Sequence, residues 1–288
     1  MKHVFYHSDM DGIATLYSWS EFNALDGCGI ATTNYGAATL KAIEHVCAGD
    51  DVVFLDFCPD QVATQKLKDV GVVGVEVWDH HKGAESNIAK IRELFPDAEI
   101  NYRPEGLGAC AMPWERANRI PPTVVRLIAK RDVWDWSEPH AAFLHEWCTV
   151  LGPMTEDYEK WLRTFGRLEA AYDFVREVLE IGQKLVEKRD TVIAKQVSEA
   201  MKIGTLLAVN SSENISELGN ALAKANEHKV GLVWSVVGKV VRMSFRSIPG
   251  AQRSALDVAR VYGGGGHEHA AGASMSVEQF FSGMLGCE

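Results

Sequence analysis

The sequence predicts an α/β protein in two parts. A mostly parallel N-terminal sheet flanked by helices leads through a long connector helix into a smaller C-terminal α/β domain. Three observations predict this. In the first half, short apolar runs of strand length alternate with stretches of helical character, the pattern of parallel strands joined by crossover helices. From about 168 to 200 the residues form one long amphipathic stretch. Beyond 203 the pattern changes again, to closely spaced strands and a glycine-dense segment. With 288 residues, 47% of them hydrophobic, the chain can build two ordinary cores. The boundaries read 1–167, 168–202 and 203–288.

The strand candidates of the first part are HVFYH (3–7), IATTN (30–34), DVVFLDF (51–57), VVGVEVW (72–78) and EINYR (99–103). Helix candidates lie between and after them, near 13–25, 38–47, 60–70, 86–95 and 108–118. From about 120 the sequence turns helical, and ~30 residues of connector span roughly 45 Å at 1.5 Å each. In the last part TLLAV, VGLVWSVVG and KVVRMSFRS read as strands, the latter two joined in a hairpin at Gly238-Lys239. Along KVVRMSFR, Val241, Met243 and Phe245 alternate with Arg242, Ser244 and Arg246, which predicts one core face and one polar, cationic face.

Charge and cysteine usage narrow the function classes. A formal charge of -10 argues against strong, sequence-independent binding to long nucleic acid. The six cysteines are scattered without a CxxC pair, which suggests neither a zinc knuckle nor a disulfide framework, and most read as buried reduced thiols. The N-terminus has no signal-peptide pattern, and no apolar run approaches the ~20 residues of a membrane span, so a soluble cytoplasmic protein is expected.

In a parallel sheet, functional groups collect beyond the carboxyl ends of the strands. Here HSDMDG follows the first strand, Asp56 ends the third and WDHHKG follows the fourth. If the extended geometry continues, His7, Asp9 and Asp11 project to one side, while His80 and His81 point to opposite sides. Each residue alone has an ordinary reading. Asp11 can cap the helix GIATLYSW, Asp56 can cap a strand end, His80 can be a structural histidine, and Asp132 in KRDVWDW can pair with Lys130 or Arg131. Together, four carboxylates and two histidines on one sheet edge repel unless cations sit among them. Two divalent ions cancel the formal charge of Asp9, Asp11, Asp56 and Asp132, and His7 and His80 complete the ligand set. Oxygen and imidazole donors without thiolate favour Mn²⁺ or Mg²⁺, with Zn²⁺, Fe²⁺ or Co²⁺ compatible; manganese is the expected ion. Paired ions ~3.5 to 4 Å apart suit phosphate ester hydrolysis.

The ordered set HSDMDG, LDF, WDHHKG and KRDVWDW resembles the four motifs of the DHH phosphoesterases. SFRS followed by YGGGGHEHAAG resembles the DHH-associated domain found with them in RecJ-type exonucleases, nano-RNases and related phosphodiesterases. The resemblance covers nearly the whole chain. It implies a catalytic domain at 1–167 and a substrate-binding domain at 203–288, with the active site in a cleft between them. It further implies that His7 and Asp9 hold one ion, that Asp11, His80 and Asp132 hold the other, and that Asp56 bridges both. Asp79 would orient a ligand, and His81 would contact the scissile phosphate or assist the leaving group. Arg246, Gly264, Gly265, Gly266 and His267 would bind a substrate phosphate. From the residues themselves, HAAG can begin a helix whose amino end favours the anion. An exposed strand face and a flexible glycine turn are the ordinary readings of the same residues.

The expected function is therefore a manganese-dependent phosphodiesterase acting on short single-stranded oligonucleotides. One alternative is an enzyme for small nucleotides such as bisphosphorylated adenosine or linear dinucleotides. Another is a catalytically silent nucleic-acid-binding protein, against which the full ligand set argues. Trp78, Trp134 and Trp136, near the motifs, read as core residues rather than base platforms, and Gly83 as the turn that leads the chain away from the site.

Overall fold

The computed structural model describes residues 1–135 and 137–283; Trp136 and Cys287 lie outside the described residues. The chain divides into two compact units, Met1–Val186 and the residues from Glu187 onward.

The first unit runs β1 (Lys2–His7), α1 (Met10–Ser20), β2 (Cys28–Thr33), α2 (Ala37–Ala42), β3 (Asp51–Leu55), α3 (Gln61–Val70), β4 (Gly74–Asp79), α4 (Glu85–Leu94) and β5 (Glu99–Tyr102). Helices α5 (Met112–Arg116), α6 (Thr123–Asp132), α7 (Pro139–Thr149) and α8 (Tyr158–Ala170) follow. Among the described residues the five strands form one parallel sheet in the order β2-β1-β3-β4-β5. Both faces are covered, as a parallel sheet requires. Val4, Tyr6, Val53 and Leu55 face a core built with α1 and α5 to α8, while Phe5, Val52, Phe54 and Val77 face a second core with α3 and α4. Local chemistry closes these helices. Asp60 accepts a hydrogen bond from the Ala63 amide at the start of α3, and Gly71 ends that helix in the left-handed region (φ 92°).

The strand order has a consequence for function. Strand β1 pairs with β2 on one side and β3 on the other, so the chain reverses its direction of travel across the sheet at β1 and β3. In open α/β sheets the crevice outside the carboxyl ends at such a reversal is where ligands bind.

A 27-residue helix, α9 (Tyr172–Ser198), passes through the division between the units. Phe174, Val175 and Val178 on its first half pack in the first unit, and Ile193 and Val197 on its last half pack in the second. The second unit continues with β6 (Met201–Ile203), β7 (Leu206–Asn210), α10 (Ile215–Ala225), β8 (Val230–Val237), β9 (Val240–Ser247), α11 (Ala255–Val261), β10 (Gly265–His267), β11 (Ala270–Ser276) and α12 (Val277–Gly283). Its mixed sheet has the order β10-β11-β9-β8-β7-β6. The expected hairpin joins β8 to β9, with Val237 opposite Val240 and Gly238 at φ 62°. Val241, Met243 and Phe245 are buried and Arg242 is exposed, as the alternation predicts.

One expectation fails here: HAAG does not start a helix. Ala270 to Ser276 form a strand held on both sides, pairing Gly272 with Gly265 and Ala273 with Met243. Ala271 and Ala273 are buried at strand spacing, so sheet pairing overrides alanine's helical preference. Among the described residues no helix is long and apolar enough to cross a membrane.

Two glycines distinguish a required approach from a dispensable one. A Cβ on Gly12 would lie 2.1 Å from the His7 carbonyl oxygen, because α1 begins directly over the end of β1. A Cβ on Gly83 would meet nothing within 4 Å, so the turn expected there does not need glycine. Gly12→Ala is expected to destabilise the protein by at least the ~1–3 kcal/mol of an overpacked core, and Gly83→Ala to leave it unchanged. Urea unfolding of both variants checks this; equal midpoints would contradict it.

Candidate metal centre

Strand β1 ends at His7, and the chain turns into α1 within two residues. The extended geometry expected through HSDMD therefore stops at the strand. Asp9 caps the helix instead of Asp11, its Oδ1 accepting the Gly12 amide at 2.9 Å. Asp11 lies in the first helical turn, fully buried, and its carboxylate accepts amides from Ala109 (2.6 Å) and Cys110 (3.2 Å). A Cβ on Gly108 would come within 2.8 Å of that carboxylate, so glycine lets the loop close on it. Sequence reasoning missed this pair of amides. The density of small residues in GLGAC was the available signal, and it does not reveal which distant carboxylate the loop meets.

Asp56 follows β3 with φ 64°, a conformation uncommon for a residue with a side chain, and its amide donates to the Trp78 carbonyl at 2.8 Å. Strand β4 ends at Asp79, and this changes the geometry of the histidine pair. The alternation of facing holds only within the pleat. Beyond it both rings turn to the same carboxylate: His80 Nε2 lies 3.3 Å and His81 Nδ1 4.0 Å from Asp56 Oδ1. Asp79, also fully buried, holds His81 by accepting from both its amide (2.9 Å) and Nδ1 (2.7 Å).

The six expected ligands come together. His7 Nδ1 lies 2.7 Å from Asp9 Oδ2 and 3.5 Å from Asp56 Oδ2. His80 Nε2 lies 3.7 Å from Asp11 Oδ2 and 3.2 Å from Asp132 Oδ2, at the end of α6. Of the two ordinary partners of Asp132, Lys130 pairs with Asp135, and the Arg131 guanidinium lies over the Trp134 ring. Among the described residues, three groups of donors, each within 4.8 Å, are thus able to hold a metal ion: His7, Asp9 and Asp56; Asp11, His80 and Asp132; and Asp56, His80 and His81.

Electrostatics show what this crowding demands. Burial and the neighbouring carboxylates of Asp11 and Asp9 raise the Asp56 carboxyl well above the usual range. Burial and the charge of Asp132 push Asp11 up to about 6. Burial opposes charging of the two imidazoles, but the carboxylates outweigh it. Asp56 and Asp9 raise His7 to about 10, and Asp132 and Asp56 raise His80 to about 11. For Asp9 burial is again opposed and outweighed, here by His7, so its carboxyl is held below the ordinary value. The site strongly attracts positive charge. His7 Nδ1, His80 Nε2 and both Asp56 oxygens are also buried without a hydrogen-bond partner. They approach one another without hydrogen-bond geometry, and such orphaned atoms are costly unless a cation satisfies them. The donor set fits oxygen- and imidazole-binding divalent metals.

The residues expected to hold a substrate phosphate lie in the second unit. Arg246 is partly buried on β9; its guanidinium donates to Ser216 Oγ and the Phe245 carbonyl at 2.9 Å each, and its Nε has no hydrogen-bond partner. Gly265, Gly266 and His267 form the exposed edge strand β10, and the Gly264 amide donates to the Ala259 carbonyl. Trp78 is buried in the first core, as expected.

Comparison with solved structures bears on this geometry. The pGpG-specific phosphodiesterase PggH from Vibrio cholerae superposes with a TM-score of 0.58 at 15% identity, over 96% of this chain and 94% of that one. RecJ from Thermus thermophilus, crystallised with Mn²⁺, gives 0.57 at 18% identity over 99% of this chain and 51% of RecJ. The fold is RecJ-like. An uncharacterised protein of Acanthamoeba polyphaga mimivirus is 28% identical over 225 residues, 73% of this chain and 48% of its own length. The chain thus spans about half the length of the curated relative it matches, and no family model matches it. In this RecJ-like fold the acids and histidines occupy the sheet edge where the strand order reverses.

The crowded carboxylates make a stability prediction. Asp56→Asn removes a buried charge and keeps a residue tolerant of positive φ. In EDTA the variant is expected to melt several degrees above the wild type, since about 1 kcal/mol moves Tm by roughly 2–4 °C at this size. Mn²⁺ is expected to raise the Tm of the wild type and not that of the variant. A lower Tm for the variant in EDTA would show that Asp56 is not under repulsion.

Proposed function

We propose that the chain is a DHH-type phosphodiesterase that hydrolyses short single-stranded oligonucleotides with two divalent ions, Mn²⁺ foremost, with Mg²⁺ or Co²⁺ as substitutes. One observation carries this reading: the two orphaned oxygens of Asp56 face different donor groups, Oδ2 towards His7 and Oδ1 towards His80. A carboxylate so placed suits bridging. In this assignment His7 and Asp9 would hold one ion, Asp11, His80 and Asp132 the other, and Asp56 both. When bound, paired divalent ions lower the pKa of water and offset charge on a phosphodiester.

The chain's own groups do the rest. The amides of Ala109 and Cys110 fix Asp11, so that ligand is set before substrate arrives. Asp79 accepts the Nδ1 proton of His81, which selects the tautomer and holds the ring. His81 then handles a proton at Nε2 for the scissile phosphate or its leaving group. Arg246 and the segment from Gly264 to His267 serve as the holder of a second phosphate, with the arginine fork matched to phosphate oxygens. The likeness to PggH favours a linear dinucleotide within the small-nucleotide reading, because that protein is named for pGpG.

Incubation with Mn²⁺ and 5′-phosphorylated dinucleotides, longer RNA and DNA, bisphosphorylated adenosine and pyrophosphate separates these readings. The expected result is preference for the dinucleotides, abolished by Asp56→Ala. Rapid cleavage of long DNA with dinucleotides untouched would sink the short-substrate reading, and no turnover of any substrate would favour a binding protein. His81→Asn is expected to lower kcat by about 10²–10⁴ while Mn²⁺ still raises the melting temperature. Loss of that Mn²⁺ effect would make His81 a ligand instead.

A further inference from the structure

Tyr35 is an aromatic residue that the motifs do not include, and it stands against the candidate centre. Its ring lies edge-on to His7 at 5.4 Å and 65°, and to His81 at 6.0 Å and 83°. It also meets Phe57 at 6.0 Å and 86°. Phe57 is completely buried, yet Tyr35 is 44% exposed. The exposure is a built feature. Asn34 donates through Nδ2 to Ser8 Oγ at 3.0 Å, which ties the loop to the segment that carries Asp9. Its Oδ1 accepts the Tyr35 amide at 2.8 Å, and its carbonyl accepts Thr39 Oγ1 at 2.6 Å. Gly36, at φ 68°, then turns the chain into α2.

Packing alone does not require this. Phe57 already seals the space against His7 (6.3 Å) and Phe54 (5.3 Å), so the open part of the Tyr35 ring covers no core. An aromatic surface held beside groups that would receive a phosphate is chemically suited to a nucleobase. Every base has a π-face, and stacking on such a ring tolerates any of them. The centroid separations of 5.4 and 6.0 Å put the ring in edge contact with both histidines, so its open part lies directly beside the groups that would receive the phosphate.

We propose that Tyr35 is the nucleobase platform of this site and stacks on the base of a nucleotide flanking the scissile phosphate. The inference rests on the phosphodiesterase reading and sharpens it. Substrates must carry a base next to the cleaved bond, which selects nucleotides over pyrophosphate or simple phosphodiesters.

The test uses the full chain with Mn²⁺ and compares Tyr35→Leu and Tyr35→Phe with the wild type. The substrates are 5′-phosphorylated ApA and its two analogues in which one or the other adenine is replaced by hydrogen. Tyr35→Leu is expected to raise KM for the dinucleotide about five- to hundredfold with kcat little changed. Tyr35→Phe is expected to retain the wild-type KM. For one of the two abasic analogues, Tyr35→Leu and wild type should have equal KM, because the stacked base is already gone. An unchanged KM for the full dinucleotide overturns the proposal. So does an equal fall of kcat on all three substrates, which would mean that the ring only positions His7 and His81. If the wild type turns over none of them, the phosphodiesterase reading fails and takes this inference with it.

Discussion

The structure of the first unit depends on one constraint: a carboxylate, Asp56, is buried between two histidines and beside two further carboxylates, with neither oxygen hydrogen-bonded. Such a group is costly unless countercharge reaches it. Other features follow from bringing that countercharge in. Asp56 sits at positive φ with its amide donating to the Trp78 carbonyl, and its two oxygens face His7 and His80. A strained backbone that persists must be held by its surroundings.

The parallel sheet supplies those surroundings. Strands β1, β3 and β4 are neighbours, so His7, Asp56 and His80 arrive at one edge from three separate segments. A buried sheet with apolar faces on both sides is rigid, while the turns beyond its carboxyl ends are free to carry polar groups. The chain uses close backbone approaches to complete the arrangement. Gly12 brings α1 onto the end of β1, and Gly108 brings two amides onto Asp11. Neither glycine bears a functional group, yet each sets where a carboxylate sits.

The second unit has a different construction, a mixed sheet whose polar β9 face carries Arg242, Ser244 and Arg246. Arg246 is partly buried and tied to Ser216, which orders a guanidinium that an exposed strand position would leave mobile. The glycine segment serves the sheet edge. Gly266 sits opposite Ala271 at φ 137°, and a Cβ there would meet the Ala270 carbonyl oxygen at 2.7 Å. Close strand pairing therefore accounts for part of the glycine density without reference to a ligand.

The sequence by itself determined the α/β class, the five parallel strands to within a few residues, the hairpin at Gly238-Lys239 and the six residues that gather at the sheet edge. These were legible because apolar periodicity is local, and because chain order and strand direction suffice to say which ends share an edge. Side-chain direction beyond a strand end was not legible. The expectation that His80 and His81 oppose each other assumed a pleat that ends at Asp79, and the expectation for Asp11 assumed an extended chain where a helix begins. Tertiary structure alone decided that Ala109 and Cys110 meet Asp11 across nearly a hundred residues, and that Tyr35 stands over His7 and His81. HAAG became a strand for the same reason. Contacts between segments distant in sequence depend on register and packing, and no local pattern encodes them.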